Sequence, residues 1–200
     1  MNKITILIIC ALAIIIPSIV KRLLSNYINN KALFYLQKHD FDNFYKILDS
    51  FVSKFVFYPF NLEYFKLNGA FIQENDSLIK SQIELIDSKL KLNKTQKTDF
   101  YYKAFMYFLS KENKTKTNYF LKKIKTLEND KLTNTANILY DVYINKGNKY
   151  LNSLLQDIKK DINREELISK QTLIMQIYEN MGDIKSANKY KKAIKEFYNN

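Results

Sequence analysis

Tryptophan is absent from this chain, and histidine and cysteine occur once each, as His39 and Cys10. A single cysteine excludes an intramolecular disulfide and a cysteine metal cluster. The three glycines and two prolines are too few for the special backbone angles of a many-stranded β fold. They leave helices joined by short polar turns. Arginine occurs only as Arg22 and Arg164, although bidentate recognition of bases and phosphates favours the guanidinium fork. No phosphate-binding loop, dinucleotide fingerprint, zinc-protease helix or nucleophile elbow is present. His39 falls in an interhelical turn, where a solvated side chain is the plain reading, and Glu165 and Glu166 start a helix whose dipole suits them. The sequence therefore offers no catalytic residue, metal or cofactor.

What remains is apolar and basic. Of the 200 residues, 46% are hydrophobic and 14% aromatic, enough for one buried domain or a short repeat array. The net charge of +12 rests almost wholly on lysine. Lysine, asparagine and isoleucine are abundant together, as drift towards AT-rich codons would make them. Residues 89–125 hold eleven lysines against Asp99 and Glu112. That stretch reads as a solvated face or as a docking patch for an acidic partner or anionic lipid.

Ile4 to Val20 is an uncharged run, preceded by Lys3 and followed by Lys21 and Arg22. A helix needs about 17 to 25 such residues to cross a bilayer core. No small-x-small cleavage site follows, and Ile9 before Cys10 does not suit a lipoprotein signal. The run predicts an uncleaved single-span anchor over residues 1–22. The flanking positive charges place the helical domain of residues 23–200 on the cytoplasmic side.

From there on, helical apolar spacing is broken at near-constant intervals. Ile174, Ile177, Tyr178 and Met181 form one helix face; Ile184, Ala187, Tyr190, Ile194 and Phe197 form the next, with Gly182 and Asp183 between them. Comparable breaks fall at His39, Asp76, Lys111 and Gly147. Seven residues before each break stand Ala32, Gly69, Ala104, Tyr140 and Met175; four before stand Tyr35, Ile72, Tyr107, Tyr143 and Tyr178. Five after stand Phe44, Ser81, Lys116, Asn152 and Ala187, a column that is mostly not small. A shift of one residue brings Thr117 or Ser153 into it.

This pattern resembles the tetratricopeptide repeat, with its small and aromatic positions on a first helix and a Gly-Asp-like turn before a second. The resemblance implies an all-α fold: a right-handed superhelix of about five helical hairpins, here preceded by one transmembrane helix. It also implies a scaffold that binds a protein or peptide in a groove lined by the first helix of each hairpin. Mapped onto this chain, the inward residues are Lys66, Gln73, Tyr101, Phe105, Asn137, Asp141, Thr172 and Gln176. The alternative is nucleic-acid or anionic-lipid binding through the lysine-rich third hairpin. There the aromatic residues Phe105, Phe108, Tyr119 and Phe120 sit at core spacing rather than as base-stacking platforms.

Overall fold

The computed structural model describes the backbone of residues 3–160 and 162–199 and the side chains of residues 15–160 and 162–198. Among these residues the secondary structure is entirely helical. Five successive helix pairs run along the chain. The first is α1 (Lys3–Gln37) with α2 (Phe41–Asp49), which continues after a break at Ser50 as α3 (Phe51–Val56). The second is α4 (Pro59–Ile72) with α5 (Asp76–Lys89), and the third α6 (Lys94–Ser110) with α7 (Lys114–Lys125). The fourth joins α8 (Asp130–Leu139), extended by a π-helical segment at Tyr140–Ile144, to α9 (Leu151–Asp157). The fifth is α10 (Arg164–Asn180) with α11 (Ile184–Asn199).

One joint recurs between paired helices. His39, Glu74, Glu112 and Gly182 all have positive φ, at 55°, 55°, 48° and 76°. The residue after each is Asp or Asn, and its N–H donates back to the helix just ended: Asp40 to the Tyr35 carbonyl, Asn75 to Ala70, Asn113 to Phe108 and Asp183 to Tyr178, at 2.9–3.1 Å. This is the six-to-one closure of a Schellman turn. The same residue then caps the following helix. Its side-chain oxygen accepts from the N–H of Asn43, Leu78, Lys116 or Ser186 respectively, at 3.0–3.2 Å. Lys146 supplies the positive φ at the joint of the fourth pair, so all five joints fall within two residues of the breaks read from the sequence.

With the joints fixed, the column expected to be small proves instead to be a buried one. Five residues after the four positive-φ residues of these Schellman joints stand Phe44, Ile79, Thr117 and Ala187, all buried. Ser81, Lys116 and Asn152, expected there, are exposed. Phe44 is the largest member, and it is accommodated by Gly69 on α4. A Cβ at Gly69 would meet the Phe44 ring, 2.8 Å from Cζ and nearer still to Cε1.

The chain forms two compact units, Met1–Asn93 and Lys94–Asn200. The first is centred on Ile28, Ala32 and Leu36 of α1, Phe44 and Leu48 of α2, Val56 of α3 and Leu62 of α4. The second packs Phe100 and Phe108 of α6 against Phe120 of α7, buries Phe105 of α6, and gathers Val142, Leu154, Ile174 and Ile177 further along.

The expected membrane element requires correction. Among the described residues no helix is long and apolar enough to cross a membrane. This overturns both the transmembrane helix assigned to Ile4–Val20 and the single-pass location with a cytoplasmic domain. The side chains of residues 4–14 lie outside the described residues. What is described of the run, residues 15–20, ends at Lys21 and Arg22, while the helix continues without interruption to Gln37. From Leu24 onward α1 is a component of the first unit's core rather than a separate anchor.

Candidate functional site

The second unit carries an open cleft of about 850 Å³. Its walls come from α6, α8 and α10, the first helices of three consecutive pairs, with Tyr143 of the π segment, Leu154 and Asp157 of α9 and Tyr198 of α11. Each wall is fixed by local chemistry. Asn129 caps α8 by accepting from the Leu132 N–H at 3.1 Å, and Asn163 caps α10 by accepting from Glu166 N–H at 2.9 Å. Glu165 and Glu166 then occupy the first turn of α10, where carboxylates meet the positive end of the helix dipole.

The π segment is held from both sides. Asn180 Nδ2 donates to the Val142 carbonyl at 2.8 Å. The Gly147 N–H donates to the Asp141 carbonyl at 2.9 Å, and Lys149 N–H to its Oδ2 at 3.3 Å. A Cβ on Gly147 would lie 2.6 Å from each Asp141 carboxylate oxygen, so a larger residue there would have to displace that carboxylate from the Lys149 N–H. The widened turn directs Tyr143 to the cleft, while Val142 is fully buried. π-Helical bulges occur frequently at functional sites.

The cleft has apolar surface from Met106, Ile138, Leu139, Ile168 and Leu173. Its charged lining is Asp157, Glu165, Glu166, Lys131 and Lys170. Lys170 Nζ reaches Asp157 at 2.8 Å and Glu166 at 3.1 Å, and Lys160 reaches the other Asp157 oxygen at 2.6 Å. Hydrogen bonds from Lys160 and Lys170 hold the Asp157 carboxyl at about 2, below its usual 3.8. Burial pulls the Lys170 ammonium down, but its bonds to Asp157 and Glu166 outweigh that and leave its pKa raised. Burial raises the phenols of Tyr102 and Tyr143, so both remain neutral donors near neutral pH. Neutral hydroxyls and paired charges around an apolar floor suit binding.

Of the eight residues expected to face inward, Thr172 lines this cleft, its hydroxyl donating to the Ile168 carbonyl at 2.9 Å. Tyr101 and Phe105 are buried in the core, and their neighbours Tyr102 and Met106 take the cleft face, one residue on and about 100° around the helix. Asn137 is half-buried on α8 between Ala136 and the lining residue Ile138. Asp141 holds the 147–149 backbone as described. Gln176 donates to Asn180 at 3.3 Å and so supports the π segment from behind.

The remaining two belong to the first unit. Lys66 is committed to Asp49 at 2.6 Å and Glu63 at 3.0 Å, and Gln82 donates to the same Glu63 carboxylate. Burial lowers the Lys66 pKa, but the two carboxylates more than compensate and it stands raised. Gln73 is the residue that ends α4, with its Oε1 buried and unbonded. Lys66 and Glu63 tie α4 to Asp49 of α2 and Gln82 of α5.

The lysine-rich third pair has a definite geometry. α7 buries Thr117, Phe120, Leu121 and Ile124, and its sequence contains no acidic residue. Lys114, Lys116, Lys122 and Lys125 are exposed. Lys123 lies over the rings of Tyr101 and Tyr119, at 5.1 and 4.8 Å. Phe105, Phe108 and Phe120 are buried as core residues, whereas Tyr119 is 42% exposed.

No protein-family model, curated protein or solved structure matches this chain.

Proposed function

We propose that the protein is a helical-repeat binding module, without chemistry of its own, that holds a segment of a protein partner in the cleft of its second unit. The observation that carries this reading is the cleft itself: about 850 Å³, open to solvent, apolar at Met106, Ile138 and Leu173 and polar around them. Most of its wall comes from successive first helices of the pairs, the surface that a tetratricopeptide-like array would offer a ligand, with smaller contributions from α9 and α11. A photo-crosslinking residue placed at Met106 or Thr172 in cells should capture protein, while the same residue at Lys189, exposed on α11, should not. Equal capture at all three positions, or none, would overturn the proposal.

A second reading rests on α7. Four exposed lysines on a helix without an acid suit a polyanion such as nucleic acid. Binding of single-stranded nucleic acid should then weaken by orders of magnitude between about 50 and 200 mM salt. It should also weaken on Lys122→Glu with Lys125→Glu; indifference to both changes would dispose of this reading.

A further inference from the structure

The π segment of the fourth pair is held in register by donors from outside its own helix. In a continuous α-helix the N–H of Asn145 would donate to the Asp141 carbonyl, and that of Lys146 to the Val142 carbonyl. Both carbonyls are already taken. Asn145 N–H donates instead to the Tyr140 carbonyl at 3.2 Å, one residue further back, which is the π register. The Asp141 carbonyl accepts from Gly147 N–H at 2.9 Å, out of the following turn. The Val142 carbonyl accepts from Asn180 Nδ2 at 2.8 Å, out of α10, and Gln176 aims that amide by donating to its oxygen at 3.3 Å. Val142 is fully buried, so its carbonyl has no water to turn to when the amide is withdrawn. Within its own helix the donor that can replace it is Lys146 N–H, four residues on, and taking it restores the α register. Two hydrogen-bond patterns thus compete for the same residues.

We propose that residues 140–146 are a two-register element that gates the cleft. In the π register, held by Asn180 and Gly147, Tyr143 forms part of the cleft wall and Val142 packs with Leu154, Ile174 and Ile177. In the α register the extra residue leaves the turn, the chain beyond it rotates by about 100° relative to α8, and Tyr143 leaves the wall. Asn180 acts on the cleft through the Val142 carbonyl and is therefore a positioning residue. The gate rests on the reading of the cleft as a protein-binding site; the two registers do not.

Fluorine NMR of the full chain labelled with fluorotyrosine reads the register, with the Tyr143 line assigned from Tyr143→Phe. Asn180→Asp keeps the shape of the side chain and the acceptor for Gln176 but withdraws the donor; Asn180→Leu withdraws both. Loss of the donor to a buried carbonyl shifts such an equilibrium by about 5- to 150-fold. Wild type should give one Tyr143 line, and each variant a second line that grows at the expense of the first. The line of Tyr101, buried in the third pair, and the helical circular dichroism should stay as in wild type. A Tyr143 line unchanged in both variants would overturn the proposal. Should both variants unfold, Gln176→Leu, which only frees the Asn180 amide to turn, should give the second line at lower population, and its absence there would be equally fatal. Capture through a photo-crosslinking residue at Met106 should fall in Asn180→Asp in step with the lost π population. Capture equal to that of wild type, beside two Tyr143 lines, would refute the gate and leave the proposed function standing. No capture even by wild type would refute the proposed function and the gate with it, and the Tyr143 line alone would then decide the two registers.

Discussion

Replacing Gly69 with alanine brings two known effects into opposition. Glycine inside a helix costs about 1 kcal/mol relative to alanine, so on backbone grounds alone the change stabilises α4. The added Cβ, however, falls on the Phe44 ring, 2.8 Å from Cζ and 3.1 Å from Cδ1, and closer to Cε1. The ring has little freedom to withdraw. Phe44 is fully buried, with Phe65 edge-on at 5.4 Å and Tyr45 edge-on at 4.9 Å. Overpacking of this kind costs about 1–3 kcal/mol, and the net expectation is a loss of about 1 kcal/mol. Hydrogen exchange over residues 41–89 and the urea midpoint of that unit would read it. Phe44→Leu, which alone opens a void, should compensate when combined with Gly69→Ala. The pair should lose at least about 1 kcal/mol less than the sum of the singles, as expected for residues in contact. If Gly69→Ala raises the midpoint, the ring moves aside at no cost and the close approach of α2 and α4 is not what glycine is there for.

Glu74→Gly should stabilise the first unit by about 0.5–1 kcal/mol in urea unfolding, since glutamate at φ 55° carries a left-handed penalty that glycine avoids. Asn113→Ala removes the cap on α7 and should cost about 1 kcal/mol, seen as faster amide exchange in its first turn. Ala187→Phe, at a site only 4% exposed, should cost about 1–3 kcal/mol, with protection lost after residue 165 and retained before residue 90. Asp157 has a depressed carboxyl, so its contribution is present above its unfolded value of 3.8 and is lost as pH falls from there towards about 2. Asp157→Asn should flatten the acid limb of the second unit's stability profile in that window, and an unchanged profile would show that the Lys160 and Lys170 bonds are not formed in solution.

The period of the array was legible because each joint needs a polar interruption of an apolar pattern, and those interruptions are written in the sequence. The residue bearing the left-handed angle was not. Among the described residues one of the six with positive φ is glycine, so a scarcity of glycine did not mean a scarcity of special angles. The better signal was the Asp or Asn that follows, in His39-Asp40, Glu74-Asn75, Glu112-Asn113, Glu128-Asn129 and Gly182-Asp183. On α6 the expected inward residues fall one short of the cleft lining, because Tyr101 packs against Phe120 of α7 and Phe105 is fully buried, and helical spacing alone cannot distinguish such core positions from groove positions. Lys66 was misleading for another reason. Its partner Asp49 lies seventeen residues upstream in a different helix pair, a separation no local pattern encodes. The apolar character of residues 4–20 was plain, and the lack of Gly and Pro from Lys21 to Asn30 allowed the helix to run on; what the sequence did not reveal is that from Leu24 it packs into the first unit's core.

The joint in which one Asp or Asn closes a helix and opens the next has a consequence for how this chain tolerates rearrangement. Because a single side chain and its own N–H serve both helices, no spare residue exists at Asp40, Asn75, Asn113 or Asp183 to absorb an insertion. One added amino acid would separate the closure from the cap and rotate the following helix by about 100°. Lengthening by evolution or by design is therefore confined to whole pairs, or to connections built without this joint. Residues 90–93 form such a connection: they lie outside any helix, at the boundary between the two units. A protease site, a fluorescent tag or a split-protein break belongs there, and the same insertion at Asn75 should unfold α5.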